Sequence, residues 1–139
     1  MIQEKNNYCV CAVLQEILLK NNIKIPQNEI ATNLTPSKKG FYTDDDRIKN
    51  FMNRNGFDYD FYLRNTTPFN EPDFLLNEMK NNFGIIGLNN HTYFLNNFED
   101  PKLELIDPKD EKIIEKNLYQ ILGEMKKTNG FFGLIKKIN

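Results

Sequence analysis

The chain is poor in cysteine and histidine: it has two cysteines, Cys9 and Cys11, and one histidine in 139 residues. The cysteines are two positions apart, so on a helix they point to different faces and cannot easily bond to each other. A sequence without a disulfide framework is typical of a reducing compartment. No apolar stretch approaches the roughly 18 residues of a membrane span, and the first residues form no apolar signal segment. We therefore expect a cytoplasmic protein without a membrane span.

A strong charge of either sign is also absent, because the formal net charge is −1. This balance argues against nucleic acid or an anionic membrane as the main partner. Hydrophobic residues make up 40% and charged residues 27% of the chain, which is typical of a globular protein. There is no internal repeat or linker, so we expect a single domain over residues 1–139.

Hydrophobic periodicity predicts helices in the first part of the chain. A helix over residues 8–20 would bury one face, with Asn6 or Asn7 as its N-cap. That face comprises Val10, Val13, Leu14, Ile17 and Leu18. A short helix after Pro26 would use Ile30 and Leu34, and residues 35–40 would form a loop.

A third helix is predicted from Thr43 to Gly56, with Ile48, Phe51 and Met52 on its apolar face. Three aspartates, at positions 44–46, crowd its start. Such a cluster can suggest a metal site, but negative charge at the positive end of a helix dipole explains it better. We therefore predict no metal here.

After Gly56 the hydrophobic period changes to two, which predicts a strand through Phe57, Tyr59 and Phe61. A helix near Pro72 would use Phe74, Leu75 and Met79. The remaining predicted elements are strands at Phe83–Leu88, His91–Phe98, Lys102–Ile106 and Phe131–Ile138, and a last helix over residues 110–127 carrying Ile114, Leu118, Ile121, Leu122 and Met125. This order indicates an α+β fold, with an N-terminal helical part packed against a small antiparallel sheet.

Four residues supply the groups that a cysteine nucleophile site needs. Cys9 places a thiol in the first turn of a helix, where the positive end of the dipole lowers the pKa of a thiol. His91 can act as base, and Asp107 can orient its ring. The backbone N–H of Cys9 and the side-chain amide of Gln3 can donate hydrogen bonds to an oxyanion. If they meet in space, these residues predict acyl-transfer chemistry, with Cys11 as a packing residue.

A predicted hairpin brings two of these residues together. His91 opens one strand and Asp107 follows the next. If the two strands pair antiparallel, the start of the first lies beside the end of the second, so His91 and Asp107 are expected to be close. The carboxylate would then fix the tautomer of the imidazole and stabilise its charged form.

Each of these residues, taken alone, has a structural explanation as well. A cysteine on an amphipathic helix is usually a small core residue. A lone histidine is more often structural, and Asp-Pro after a strand is a common turn. The position of the thiol at a helix start and the hairpin that joins histidine to aspartate favour a site.

Three segments of the sequence are similar to motifs of one family. The first runs from Gln3 to Gln15 (QEKNNYCVCAVLQ), the second is Asn90-His91-Thr92-Tyr93-Phe94-Leu95, and the third is Leu105-Ile106-Asp107-Pro108. In order and spacing they resemble the glutamine–cysteine, histidine and Asp-Pro motifs of papain-like cysteine peptidases of the C39-like group. That group includes the peptidase domains of bacteriocin-exporting ABC transporters.

The resemblance implies a papain-like fold in a single peptidase domain. It implies Cys9 as nucleophile, His91 as general base, Asp107 as the orienting acid and Gln3 as oxyanion donor. It also implies a peptide or protein substrate, cleaved through a thioester without a cofactor or metal.

One position departs from the family pattern. Relatives commonly have glycine directly after the nucleophile, and this chain has Val10. A side chain there predicts less room for a substrate backbone, which points away from cleavage after a double-glycine leader. It also leaves open a catalytically inactive papain-like module that binds a peptide or partner protein. Acyl transfer of the transglutaminase or deamidase type is a further alternative, because it would use the same residues.

Overall fold

The computed structural model describes residues 2–5, 8–34, 45–63, 71–128 and 130–138, which form five helices and six strands. The helices are α1 (Cys9–Lys20), α2 (Gln27–Leu34), α3 (Asp45–Arg54), α4 (Pro72–Asn81) and α5 (Leu118–Thr128). The strands are β1 (Phe57–Leu63), β2 (Phe83–Leu88), β3 (His91–Glu99), β4 (Lys102–Ile106), β5 (Ile113–Asn117) and β6 (Phe131–Lys137).

The six strands form one antiparallel sheet in the order β1-β6-β2-β3-β4-β5. Strands β2 to β5 are consecutive neighbours and form a meander. Strand β6 lies between β1 and β2, where it pairs with both. The sheet therefore joins segments that are far apart along the chain.

Helices cover both faces of this sheet. On one face, α1, α2 and α3 bury a core that includes Leu14, Ile30 and Met52. On the other, α4 and α5 bury a second core that includes Leu76 and Ile121. The predicted α+β class is confirmed. None of the helices in the described ranges has the length and apolar character needed to cross a bilayer.

The first three helices agree with the sequence pattern in most respects. Helix α1 starts at Cys9, and its N-cap is Tyr8 rather than Asn6 or Asn7, which lie outside the described residues. The predicted loop at 35–40, Thr43 and the first of the three aspartates also lie outside them. At the start of α3, Asp45 accepts a hydrogen bond of 3.0 Å from the Tyr59 hydroxyl, so this carboxylate ties the helix to β1.

The prediction of one helix over residues 110–127 is wrong. Residues Ile113–Asn117 are strand β5, and the helix begins only at Leu118. Ile113 pairs with Ile106 across the two strands. The exposed edge of β4 offers a ladder of backbone partners to this β-branched segment, and that pairing overrides the helical spacing of its apolar residues.

The apolar face of α4 is also shifted from its predicted position. Leu75, Leu76 and Met79 are buried, whereas Phe74 is 68% exposed. Phe74 instead lines an open surface cavity beside Tyr119 of α5. A helix buries one stripe only, and Leu76 takes the place that the sequence pattern assigned to Phe74.

Candidate active site

Cys9 is the first residue of α1 and is partly exposed. At this position its backbone N–H has no acceptor within the helix, because the first N–H groups of a helix point away from its own carbonyls. The preceding residue, Tyr8, is buried and its hydroxyl donates to Asn28 Oδ1 at 3.0 Å. The start of α1 is therefore fixed against α2.

Cys11 differs from Cys9 in burial and in the direction of its pKa shift. Its side chain is fully buried, and burial raises the pKa of its thiol to about 12. Both cysteines are free thiols. Cys11 is a core residue, as the sequence pattern predicted.

His91 stands at the first position of β3, directly after a two-residue turn. The turn residues Asn89 and Asn90 both have positive φ, 52° and 60°, as the tight turn of a two-residue hairpin requires. His91 pairs with Leu88 across this hairpin. A short hairpin of this kind holds the ring at a defined place at the end of the sheet.

Asp107 follows the last residue of β4 and faces His91. Its Oδ1 lies 2.6 Å from Nε2 of His91, and the same oxygen accepts the Lys109 N–H at 2.9 Å. The predicted proximity of His91 and Asp107 is confirmed. Burial acts to raise the pKa of the Asp107 carboxyl, but these hydrogen bonds outweigh it and hold the pKa below its ordinary value.

The thiol of Cys9 contacts the same imidazole. Because Nε2 bonds Asp107, Nδ1 is the ring nitrogen left for the sulfur. Burial acts to raise the pKa of Cys9, but hydrogen bonds from His91 and Thr92 leave it lowered. Hydrogen bonding to Cys9, supported by Asp107 and opposed by burial, raises the pKa of His91 to about 9. Both shifts favour a thiolate paired with an imidazolium.

Thr92 is a site residue that the sequence pattern did not reveal. It is buried, and its hydroxyl and backbone N–H lie close enough to the Cys9 sulfur to lower the pKa of the thiol. The hairpin geometry explains why the Thr92 N–H is not used between β2 and β3. Leu88 and His91 form a hydrogen-bonded pair, so in the next pair, Gly87–Thr92, the backbone groups point away from the partner strand. On that side β4 has already ended at Ile106, opposite Phe94, so the N–H faces α1 instead.

Gln3 lies beside the turn that carries Asp107. Its backbone N–H donates to the Pro108 carbonyl at 2.7 Å. Its side-chain Nε2 donates to the Lys5 carbonyl at 3.1 Å, and that carbonyl also accepts the Tyr8 N–H at 3.0 Å. Because they share one acceptor, the Gln3 amide lies near the start of α1. The segment before the helix thus folds back toward it.

No protein-family model matches the sequence, and no curated protein matches it significantly. Solved structures do. The peptidase domain of Streptococcus ComA, a bi-functional ABC transporter involved in quorum sensing, has a TM-score of 0.72 at 15% identity, covering 99% of this chain and 96% of that chain. A double glycine motif protease from an AMS/PCAT transporter, solved in complex with the leader peptide, has a TM-score of 0.71 at 16% identity, covering 99% and 89%. The N-terminal peptidase C39 like domain of a toxin secretion ATP-binding protein from Vibrio parahaemolyticus scores 0.59 at 15% identity, covering 97% and 99%.

The chain has the papain-like fold of C39 peptidase domains. The fold implied by the sequence resemblance is therefore confirmed over nearly the whole chain. TM-scores of this size at such low identity establish the fold alone, so the chemistry has to be argued from the side chains themselves.

Val10 can now be placed within the C39 fold. Its side chain is 1% exposed and belongs to the core under α1. Cys9, in contrast, is partly exposed. The side chain that replaces the usual glycine therefore does not narrow the space above the sulfur.

Proposed function

We propose that this chain is a cysteine peptidase of the C39-like group that cleaves peptide bonds through a thioester on Cys9. The observation that carries the proposal is a single imidazole, that of His91, which contacts both a thiol at a helix start and the carboxylate of Asp107. Nucleophilic catalysis by cysteine needs a thiol, a base and an acid that orients the base, with each side chain in contact with the next.

In the proposed reaction the proton of Cys9 resides on His91 before substrate arrives. The thiolate attacks the carbonyl carbon of the scissile peptide, and the carbonyl oxygen becomes an oxyanion. The backbone N–H of Cys9 and the side-chain amide of Gln3 donate hydrogen bonds to it. His91 then gives its proton to the leaving amine, the C–N bond breaks, and a thioester remains.

Water resolves the thioester in the second half of the reaction. His91, now neutral, accepts a proton from the attacking water, and the resulting tetrahedral intermediate expels the Cys9 thiolate. The carboxyl product leaves and the thiolate–imidazolium pair is restored. Asp107 stays ionised throughout and holds the ring with Nε2 toward itself.

We propose a peptide or protein substrate and a cytoplasmic location. A structural neighbour of the same fold was solved with a leader peptide bound, which supports a peptide substrate. A reducing compartment keeps the Cys9 thiol available for attack. The near-neutral net charge gives no electrostatic reason to expect nucleic acid as a partner.

The lowered pKa of Cys9 supports catalysis over a purely binding role. A module that only binds a peptide gains nothing from a thiolate. A buried thiol without hydrogen bonds to stabilise its thiolate would have a raised pKa, as Cys11 has. The inactive-module alternative therefore predicts a Cys9 that reacts no faster than Cys11.

Peptide-library cleavage, followed by mass spectrometry, tests the proposal. Wild-type protein should cut a subset of peptides and release free carboxyl ends. Cys9→Ala should reduce cutting to background, whereas Cys11→Ala, a matched control two residues away, should keep it. Retained cutting by Cys9→Ala would refute the nucleophile, and no cutting by the wild type over a broad library would favour the binding module.

Iodoacetamide alkylation against pH gives a second measure that needs no substrate. The thiolate fraction of Cys9 should rise through a pKa below the usual 9.0, and Cys11 should stay unreactive in that range. His91→Ala should remove the advantage of Cys9. Peptidase activity should fall again as the imidazolium is lost near pH 9, giving a bell-shaped profile that belongs to the pair. Slow, equal labelling of both cysteines would contradict the proposed site.

A further inference from the structure

Gln27, the first residue of α2, is a polar side chain that is almost completely buried, with 2% of its surface exposed. Its amide is fully engaged. Oε1 accepts the Glu4 N–H at 2.9 Å, and Nε2 donates to the Ile2 carbonyl at 2.8 Å and to Gln15 Oε1 at 2.9 Å. A buried amide with this many bonds is costly to remove, because each partner would lose its bond inside the protein.

The two backbone bonds bracket Gln3. The Gln27 amide hydrogen-bonds the carbonyl of the residue before Gln3 and the N–H of the residue after Gln3, as the backbone of a neighbouring strand would. The third bond joins the Gln27 amide to Gln15 of α1. Gln15 is itself held in place, because its Nε2 donates to the Ile25 carbonyl at 3.2 Å. The orientation of the Gln27 amide is thus fixed by both α1 and the chain before α2.

The other side of the same segment is held by the Asp107 turn. The Gln3 N–H donates to the Pro108 carbonyl at 2.7 Å. Residues 2–4 are therefore clamped between Gln27 on one side and Pro108 on the other. Together these bonds hold the Gln3 N–H and the backbone groups on either side of it.

We propose that Gln27 is a positioning residue for the oxyanion hole, acting through the backbone on either side of Gln3. This inference rests on the proposed peptidase function. Gln27 does not touch the reacting atoms; it sets where the Gln3 amide stands when the oxyanion forms. Catalytic donors need placement within a fraction of an ångström, which a short segment at the molecular surface does not achieve without a partner.

Gln27→Met, which keeps the length of the side chain and removes its amide, is the first test. Deleting an oxyanion donor costs about 10²–10³ in rate, so misplacing one should lower kcat about 10- to 100-fold, with KM changed little. Iodoacetamide alkylation of Cys9 is a displacement that forms no oxyanion, so its rate should stay within about twofold of wild type, because the thiolate–imidazolium pair is untouched.

Ala31→Gly provides the matched control for lost stability. It weakens the same helix by about 1 kcal/mol without touching residues 2–4, and it should leave kcat unchanged. If Gln27→Met does not fold, Gln27→Asn replaces it: the amide remains in the helix but is too short to reach Ile2 and Glu4, so the same loss of kcat is expected. Unchanged kcat in a folded Gln27 variant overturns the inference.

A double-mutant cycle with Gln3→Ala separates positioning from general damage. Once Gln3 has lost its amide, Gln27→Met should lower kcat no further; a second loss of about 10-fold or more would show that Gln27 acts elsewhere. Amide hydrogen exchange at Glu4 should be faster in Gln27→Met whether or not the protein is a peptidase.

If Cys9→Ala keeps the wild-type activity, the proposed function fails. If only the Gln27 variants behave as wild type, this inference fails alone.

Discussion

Thr92 lies beside the Cys9 sulfur, and both its hydroxyl and its backbone N–H act to lower the pKa of the thiol. Its side chain is 3% exposed, so water does not compete with these groups. A donor in a dry place stabilises the thiolate relative to the thiol. Among single residues, Thr92 is thus a second group, besides His91, that favours the thiolate of Cys9.

Thr92→Val removes the hydroxyl while keeping the shape of the side chain and its preference for a strand. A hydrogen bond to a charged group contributes about 1.5–3 kcal/mol, so the pKa of Cys9 should rise when the hydroxyl is lost. The lower limb of the alkylation profile should move to higher pH, and the rate at a fixed pH on that limb should fall about tenfold.

Thr92→Ser is the control for that change, because it keeps the hydroxyl. It should retain most of the wild-type profile, while the melting temperatures of the two variants show whether folding was affected. An alkylation profile of Thr92→Val that coincides with wild type would mean that the hydroxyl does not contribute to the thiolate.

Residue identity made part of this site predictable. A thiol at a helix start, a single histidine and an aspartate after a strand carry distinctive chemistry, and the hairpin rule placed His91 beside Asp107. Thr92 and Gln27 carry no such mark. A threonine in a strand and a glutamine in a helix are ordinary, and the Gln27 contacts reach residues 23 and 25 positions away.

Among the elements, the junction of β5 and α5 shows how side-chain capping marks a helix boundary. Asn117 is the last residue of the strand, and its Oδ1 accepts the Tyr119 N–H at 2.8 Å. This is the bond of a helix N-cap. The cap separates a strand from a helix although the apolar spacing continues through both.

Removing that cap should destabilise the protein measurably. Asn117→Ala leaves the Tyr119 N–H without its acceptor and should lower the free energy of unfolding by about 1 kcal/mol. Urea unfolding followed by circular dichroism measures this. Asn117→Ser retains a capping oxygen and should recover most of the loss, so an equal loss in both variants would argue against the capping role.

The strands and helices with a clear period were predictable for a related reason. Alternation in Phe57–Phe61 and the stripe in α1 depend on local sequence and one buried face, and both were found. β5 was missed because its stability comes from β4, a partner that periodicity alone does not reveal. The asparagine cap was a local signal that marks the true start of α5.

At the scale of the whole molecule, β6 belongs to both cores at once. Leu134 packs in the core under α4 and α5, and Ile135 packs in the core under α1, α2 and α3. Adjacent residues of a strand face opposite sides of the sheet. The two cores therefore share a structural element and should unfold together.

Leu134→Ala and Ile135→Ala test this coupling. Each removes a buried side chain and should cost about 2–5 kcal/mol. Each variant should still unfold in one transition that coincides by far-UV and near-UV circular dichroism. Two separate transitions in either variant would mean that the two faces of the sheet fold as independent units.

The place of β6 between β1 and β2 also affects how the chain reaches its native state. Both β1 and β2 pair with β6, which is the last of the six strands along the chain. Pairings between such distant segments form slowly, because a long loop must close before any contact is gained. Until β6 pairs, β1 and β2 each have an unpaired edge, and unpaired strand edges can pair with other chains. Crowded conditions such as overexpression should therefore produce aggregates of incompletely folded chains, and lower temperature or slower synthesis should increase the yield of folded protein.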